Sequence, residues 1–153
     1  MTVSMGTAGL TLVPVLPKTV ALAGDGDLEG GASSAFRVVE ASAGLESRFL
    51  NVLGVADGGA PALAAAHVAT TGSMEGVVTG STVVLFSSAP HGAESALPFS
   101  YTVPGTMKRT HLLANLSQAI DVTSSVGGGN TVIEIKPGGA YTPGSSGLVA
   151  FSR

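Results

Sequence analysis

The apolar positions of this chain fall in short runs, each cut off within about ten residues by a glycine- or proline-rich separator. "LTLVPVL", "TVALA", "AFRVVEA", "RFLNVLGV", "STVVLFSS", "PFSYTV", "RTHLLANL", "AIDVTSS", "NTVIEIK" and "GLVAFSR" are rich in β-branched, aromatic and leucine residues. Between them stand "GDGDLEGG", "DGGAP", "SSAPHGAES", "VGGGN" and "PGGAYTPGSSG". These supply the glycines that tight turns require. Helical spacing of threes and fours over ten or more positions is offered only by "GAPALAAAHVAT", and Pro61 with its flanking glycines curtails it.

The pattern predicts an all-β fold. It reads as an antiparallel two-sheet β-sandwich, jelly-roll-like, of about ten to twelve short strands. Residues 1–153 form one domain in this reading, with about the first eight residues open to disorder. Strand faces follow from the two-residue period. Ile133 and Ile135 define the buried face of "NTVIEIK", and Phe99, Tyr101 and Val103 that of "PFSYTV". In "RFLNVLGV", Phe49, Leu53 and Val55 point one way and Leu50 and Val52 the other. Such a strand is expected to be central and covered on both sides.

Composition narrows the functional classes. Hydrophobic residues make up 44% of 153 positions, so the chain carries enough apolar material for a core. Charged residues make up only 11%, against about 25% in ordinary globular domains. The net charge of −3, with no basic cluster, lacks the positive footprint that displaces counterions from phosphates, so no nucleic-acid partner is expected. Cysteine is absent, which removes disulfides and thiolate metal sites from consideration. "GLTLVPVLPKTVALAG" is broken by Pro14, Pro17 and Lys18 and is preceded by no charged region. It reads as neither a membrane span nor a signal peptide.

Candidate chemistry is sparse. No G-x-S-x-G elbow occurs, and "GGGN" lacks the lysine of a phosphate loop. His67, His91 and His111 stand far apart in the chain and read as surface or hydrogen-bonded core residues. Glu40, Glu46 and Arg48 read as surface ion pairs, and Asn115 opens a glycosylation sequon. Asp25, Asp27 and Glu29, followed by Gly30, match positions 1, 3, 5 and 6 of a calcium-binding loop. Position 12 of that loop calls for a glutamate and is Phe36 here. These carboxylates are the candidate calcium ligands, set against a solvated acidic turn. Sugar rings stack on aromatic faces, which makes Tyr141, in a glycine- and proline-rich turn, a ligand-contact candidate. Tyr101 is a second candidate, although its strand alternation points it inward.

The order of these strands resembles the C-terminal β-sandwich of heparinase II/III-like polysaccharide lyases and related alginate-lyase-like proteins. "LTLVPVLPKTVALAGDGD", "AFRVVEASAGLESRFLNVLGVAD", "GSTVVLFSSA", "THLLANLSQAIDVTSS" and "SSGLVAFSR" carry it, from about Leu10 to Phe151. Phe36 stands where the family has a tryptophan, and Ala41-Ser42-Ala43 lacks its proline. The resemblance implies a non-catalytic accessory module, extracellular or periplasmic, that packs on a catalytic domain, contacts polysaccharide, or both. The family's catalytic residues come mainly from a helical toroid with no counterpart in this sequence, so none is carried over. The alternatives are a self-assembling structural β-protein, homo-oligomeric and of surface or phage-decoration type, and a small enzyme with a dispersed site.

Overall fold

The computed structural model describes residues 2–5, 8–16, 21–25, 35–39, 49–57, 63–89 and 95–153. Every regular element among them is a β-strand, and nearly all strand pairs are antiparallel. The chain divides into two compact units, Met1–Leu63 and Ala64–Arg153.

In the first unit β1 (Thr2–Met5), β2 (Ala8–Leu16) and β5 (Leu50–Asp57) form a sheet in the order β1-β2-β5. β3 (Ala21–Asp25) pairs with β4 (Ala35–Val39). β1 lies in the lead segment that the sequence pattern left open to disorder, and it pairs residue for residue with β2. The β2–β5 register shifts between Pro14 and Leu16. A proline has no N–H to give the ladder, and a bulge is where a strand accommodates one.

β5 departs from its expected place. It sits at the end of the strand order, not in the middle. Phe49, Leu53 and Val55 are 49%, 64% and 79% exposed. An apolar face is a signal for burial only where another layer lies over it, and strand alternation says nothing about whether that layer exists.

In the second unit β6 (Ala65–Ala69), β7 (Met74–Thr79), β8 (Thr82–Ser87), β10 (Thr110–Leu113) and β13 (Val149–Ser152) form one sheet. Its order is β13-β10-β8-β7-β6, with β8 and β10 parallel. β9 (Phe99–Pro104), β11 (Ile120–Gly127) and β12 (Asn130–Pro137) form the other, in the order β11-β12-β9. The one stretch with helical spacing contains β6. Its five residues pair along β7, and the ladder prevails over the alanine-rich local preference.

One hydrophobic cluster draws on both sheets of this unit. Val68, Met74, Val83, Leu85, Leu113 and Phe151 come from the larger sheet, and Phe99, Val103, Ile120, Ile133 and Ile135 from the smaller. Ile133 and Ile135 are completely buried, as the alternation of "NTVIEIK" predicts. Burying a side chain of this size contributes about 1.5–3 kcal/mol. Two glycines serve geometry here. Gly76, in β7, lies so close to the Val84 carbonyl and Leu85 that no Cβ fits. Gly129 closes the two-residue β11–β12 turn with Gly128 at positive φ (77° and 58°), the backbone of a tight hairpin.

Candidate functional site

Two constellations of polar side chains are assembled in the second unit, one interior and one on the surface. The interior one is built on β9 and β10. Alternation turns Tyr101 inward from β9 with Phe99 and Val103, and turns His111 inward from β10 with Leu113. The two meet inside the fold, Tyr101 Oη lying 2.9 Å from His111 Nδ1. Tyr101 is 3% exposed and His111 2%. The imidazole stacks on the Phe151 ring at 4.9 Å with the planes nearly parallel.

Burial sets the protonation of this pair. It pushes the Tyr101 phenol far above its ordinary value, so the group stays a donor. Burial, and then the Arg109 guanidinium, lower His111 from 6.5 to about 4; a hydrogen bond with the Arg153 backbone opposes them, and the Arg153 charge adds a smaller push downward. Both groups are neutral at pH 7, the phenol donating to an unprotonated Nδ1. Chemically the pair is a hydrogen-bonded tie between two sheets.

Tyr141 is half-buried at the edge of this cluster. Its ring meets Phe151 at 5.5 Å, the Arg153 guanidinium lies 5.8 Å above it, and its backbone pairs with Ile120. Of the two candidate tyrosines, Tyr101 is therefore an interior residue, and Tyr141 alone presents surface. Asp25 ends β3, while Asp27, Glu29, His91, Glu40, Glu46 and Arg48 lie outside the described residues. His67 hydrogen-bonds Glu75 across β6 and β7. Among the described residues, no three histidine or acidic side chains converge to hold a metal.

The surface constellation lies on the outward face of the smaller sheet. Register places Ser100, Glu134 and Thr123 in one row across β9, β12 and β11, and Lys136 opposite Asp121 in the next. Thr71 extends the first row: Ser100 N–H donates to its Oγ1 at 2.9 Å, and Thr71 N–H donates to the Ser100 carbonyl at 2.9 Å. The Lys136 ammonium is 2.9 Å from Glu134 Oε2, and Thr123 Oγ1 donates to the same oxygen at 3.4 Å. The lysine holds the Glu134 carboxyl below its ordinary range, so it is ionised at neutral pH. Asp121 is engaged elsewhere, its Oδ1 accepting from the Gly139 and Ala140 N–H groups at 3.0 Å each.

Thr71, Pro98, Phe99, Ser100, Glu134, Ile135 and Lys136 line a groove of about 220 Å³ on this face. Phe99 and Ile135 send their side chains into the core, so the groove presents hydroxyls, one carboxylate, one ammonium and the exposed Pro98 ring. Sequence reasoning missed this row. The alternation in "NTVIEIK" places Glu134 and Lys136 on one outward face, but only register brings Ser100 and Thr71 beside them.

No family model, curated protein or solved structure matches the chain.

Proposed function

We propose that this chain is a non-catalytic accessory module of a polysaccharide-degrading enzyme. In this reading its second unit is a two-sheet, jelly-roll-like β-sandwich that contacts polysaccharide through the outward face of its smaller sheet, and the chain packs on a catalytic domain. The observation that carries it is the groove beside Thr71, Ser100, Glu134 and Lys136. Hydroxyls that both donate and accept, next to a carboxylate acceptor and an ammonium donor, match the alternating demands of sugar hydroxyls. The strand order that resembles a lyase accessory domain supports the same reading.

Affinity electrophoresis through gels carrying neutral or acidic polysaccharides tests it, with and without calcium. Retardation by at least one polysaccharide is expected, lost in Ser100→Arg, which fills the groove, and kept in Val126→Ser on the distant hairpin. Free migration in every gel would sink the sugar-contact reading.

A second reading, a self-assembling structural protein, draws on the first unit. Leu10 pairs with Val55 and Leu12 with Leu53, and Leu10, Leu53 and Val55 are largely exposed. Contiguous exposed apolar surface marks an interaction site. Sedimentation velocity across a concentration series decides: assemblies that dissolve in Leu53→Ser/Val55→Ser favour it, and a concentration-independent monomer removes it.

A further inference from the structure

The smaller sheet of the second unit ends in two different edges. β9 is closed off: Tyr101 bridges to Thr70, and Thr71 exchanges hydrogen bonds with Ser100. β11 is closed only at its start. There Ile120 exchanges backbone hydrogen bonds with Tyr141, and the Val122 carbonyl accepts from the Arg153 guanidinium at 3.3 Å.

Ladder parity fixes what the rest of that edge presents. Gly127 and Asn130 close the two-residue turn, so Gly127, Ser125, Thr123 and Asp121 are the residues that hydrogen-bond with β12. The backbone N–H and C=O groups of Val122, Ser124 and Val126 therefore point away from β12, as those of Ile120 do toward Tyr141. Among the described residues nothing pairs with the backbone of Ser124 or Val126 on that side, and residues 123–129 are exposed. Edges of this kind are usually guarded by proline, a charged side chain or a bulge. Val122-Thr123-Ser124-Ser125-Val126 has neither proline nor charge, and its register with β12 runs unbroken.

We infer that this edge pairs antiparallel with the same edge of a second copy of the chain, joining two smaller sheets into one. The segment's own symmetry names the occupant. About a twofold axis at Ser124, Val122 falls opposite the partner's Val126, Thr123 opposite the partner's Ser125, and Ser124 opposite the partner's Ser124. Valine meets valine and hydroxyl meets hydroxyl in every row, pairings that stabilise adjacent strands. Asp121 falls opposite the partner's Gly127, so no like charges meet. The three edge-facing residues exchange roughly six backbone hydrogen bonds with the second copy. Val126, 68% exposed in the single chain, gains an apolar neighbour. One short strand is a contact at the low end of interface sizes, so the dimer is weak and concentration-dependent. Neither the sugar-contact reading nor the apolar face of the first unit enters into it.

Sedimentation velocity of the full chain, from low micromolar to near-millimolar concentration, tests this. A monomer–dimer equilibrium is expected, and it should persist in Leu53→Ser/Val55→Ser. Ser124→Pro removes an edge-facing N–H while leaving the β11–β12 hydrogen bonds in place. It deletes two bonds across the axis and is expected to weaken dimerisation about tenfold or more. Ser124→Lys sets two ammonium groups against each other, and Ser124→Glu two carboxylates. Each alone is expected to associate less than the wild type, and an equal mixture of the two to associate more tightly than either. The mixture reads the same register without a proline in the strand. A monomer at every concentration would overturn the inference. So would association lost in Leu53→Ser/Val55→Ser, or a dimer indifferent to Ser124→Pro with an unchanged circular dichroism spectrum. A charge mixture no tighter than its components would overturn it as well.

Discussion

Acid should weaken the second unit through His111 in particular. The ring is 2% exposed and its folded pKa is lowered from 6.5 to about 4, first by burial and then by Arg109. On unfolding the ring regains its ordinary value, so the unfolded chain takes up the proton first as pH falls. The stabilisation from keeping His111 neutral is thus fully present above about pH 6.5 and is lost progressively down to about pH 4. At about 1.36 kcal/mol per pH unit, the gap amounts to about 3 kcal/mol. Urea denaturation followed by far-ultraviolet circular dichroism at pH 7, 5.5 and 4 measures it, comparing the wild type with His111→Gln. Glutamine does not titrate and can still accept from Tyr101, and the carboxylates and other histidines are common to both proteins. The wild type is expected to lose about 3 kcal/mol more than the variant over this range. Parallel pH curves would refute the reasoning. A ring resonance of His111 that titrates near pH 6.5 in the folded protein would refute it independently of how the variant folds.

Tyr101→Phe removes the donor to His111 Nδ1 and leaves a buried acceptor without its partner. It should cost about 1–3 kcal/mol at pH 7, read from the denaturation midpoint. Gly76→Ala places a Cβ against the Val84 carbonyl and Leu85 on an interior strand of the larger sheet. A loss of about 1–3 kcal/mol or more is expected from the forced shift of strands, seen as a lower melting temperature, and an unchanged melt would contradict the close approach.

The sequence by itself determined the strands whose buried face alternates cleanly. Ile133 and Ile135, and Phe99, Tyr101 and Val103, lie inside as their two-residue period requires. The turn at Gly128 and Gly129 was equally legible, because its positive φ angles favour glycine. Local pattern failed where a neighbour decides. β7 is missing from the predicted strands because Glu75 and Gly76 interrupt its apolar run, yet Gly76 is what lets that strand lie against β8. β6 was obscured by alanines that suit a helix until a ladder partner is present. β5 was apolar on both faces, and only the sheet order shows it at an edge with Leu53 and Val55 exposed. The functional surface divides the same way. Alternation placed Glu134 and Lys136 together, since residues two apart share a face. That Ser100, Thr123 and Thr71 join them, and that Tyr101 meets His111, was decided by strand register and sheet packing. Those pairings span long stretches of chain, and their specificity lies in the combined ladders and core and not in any one segment.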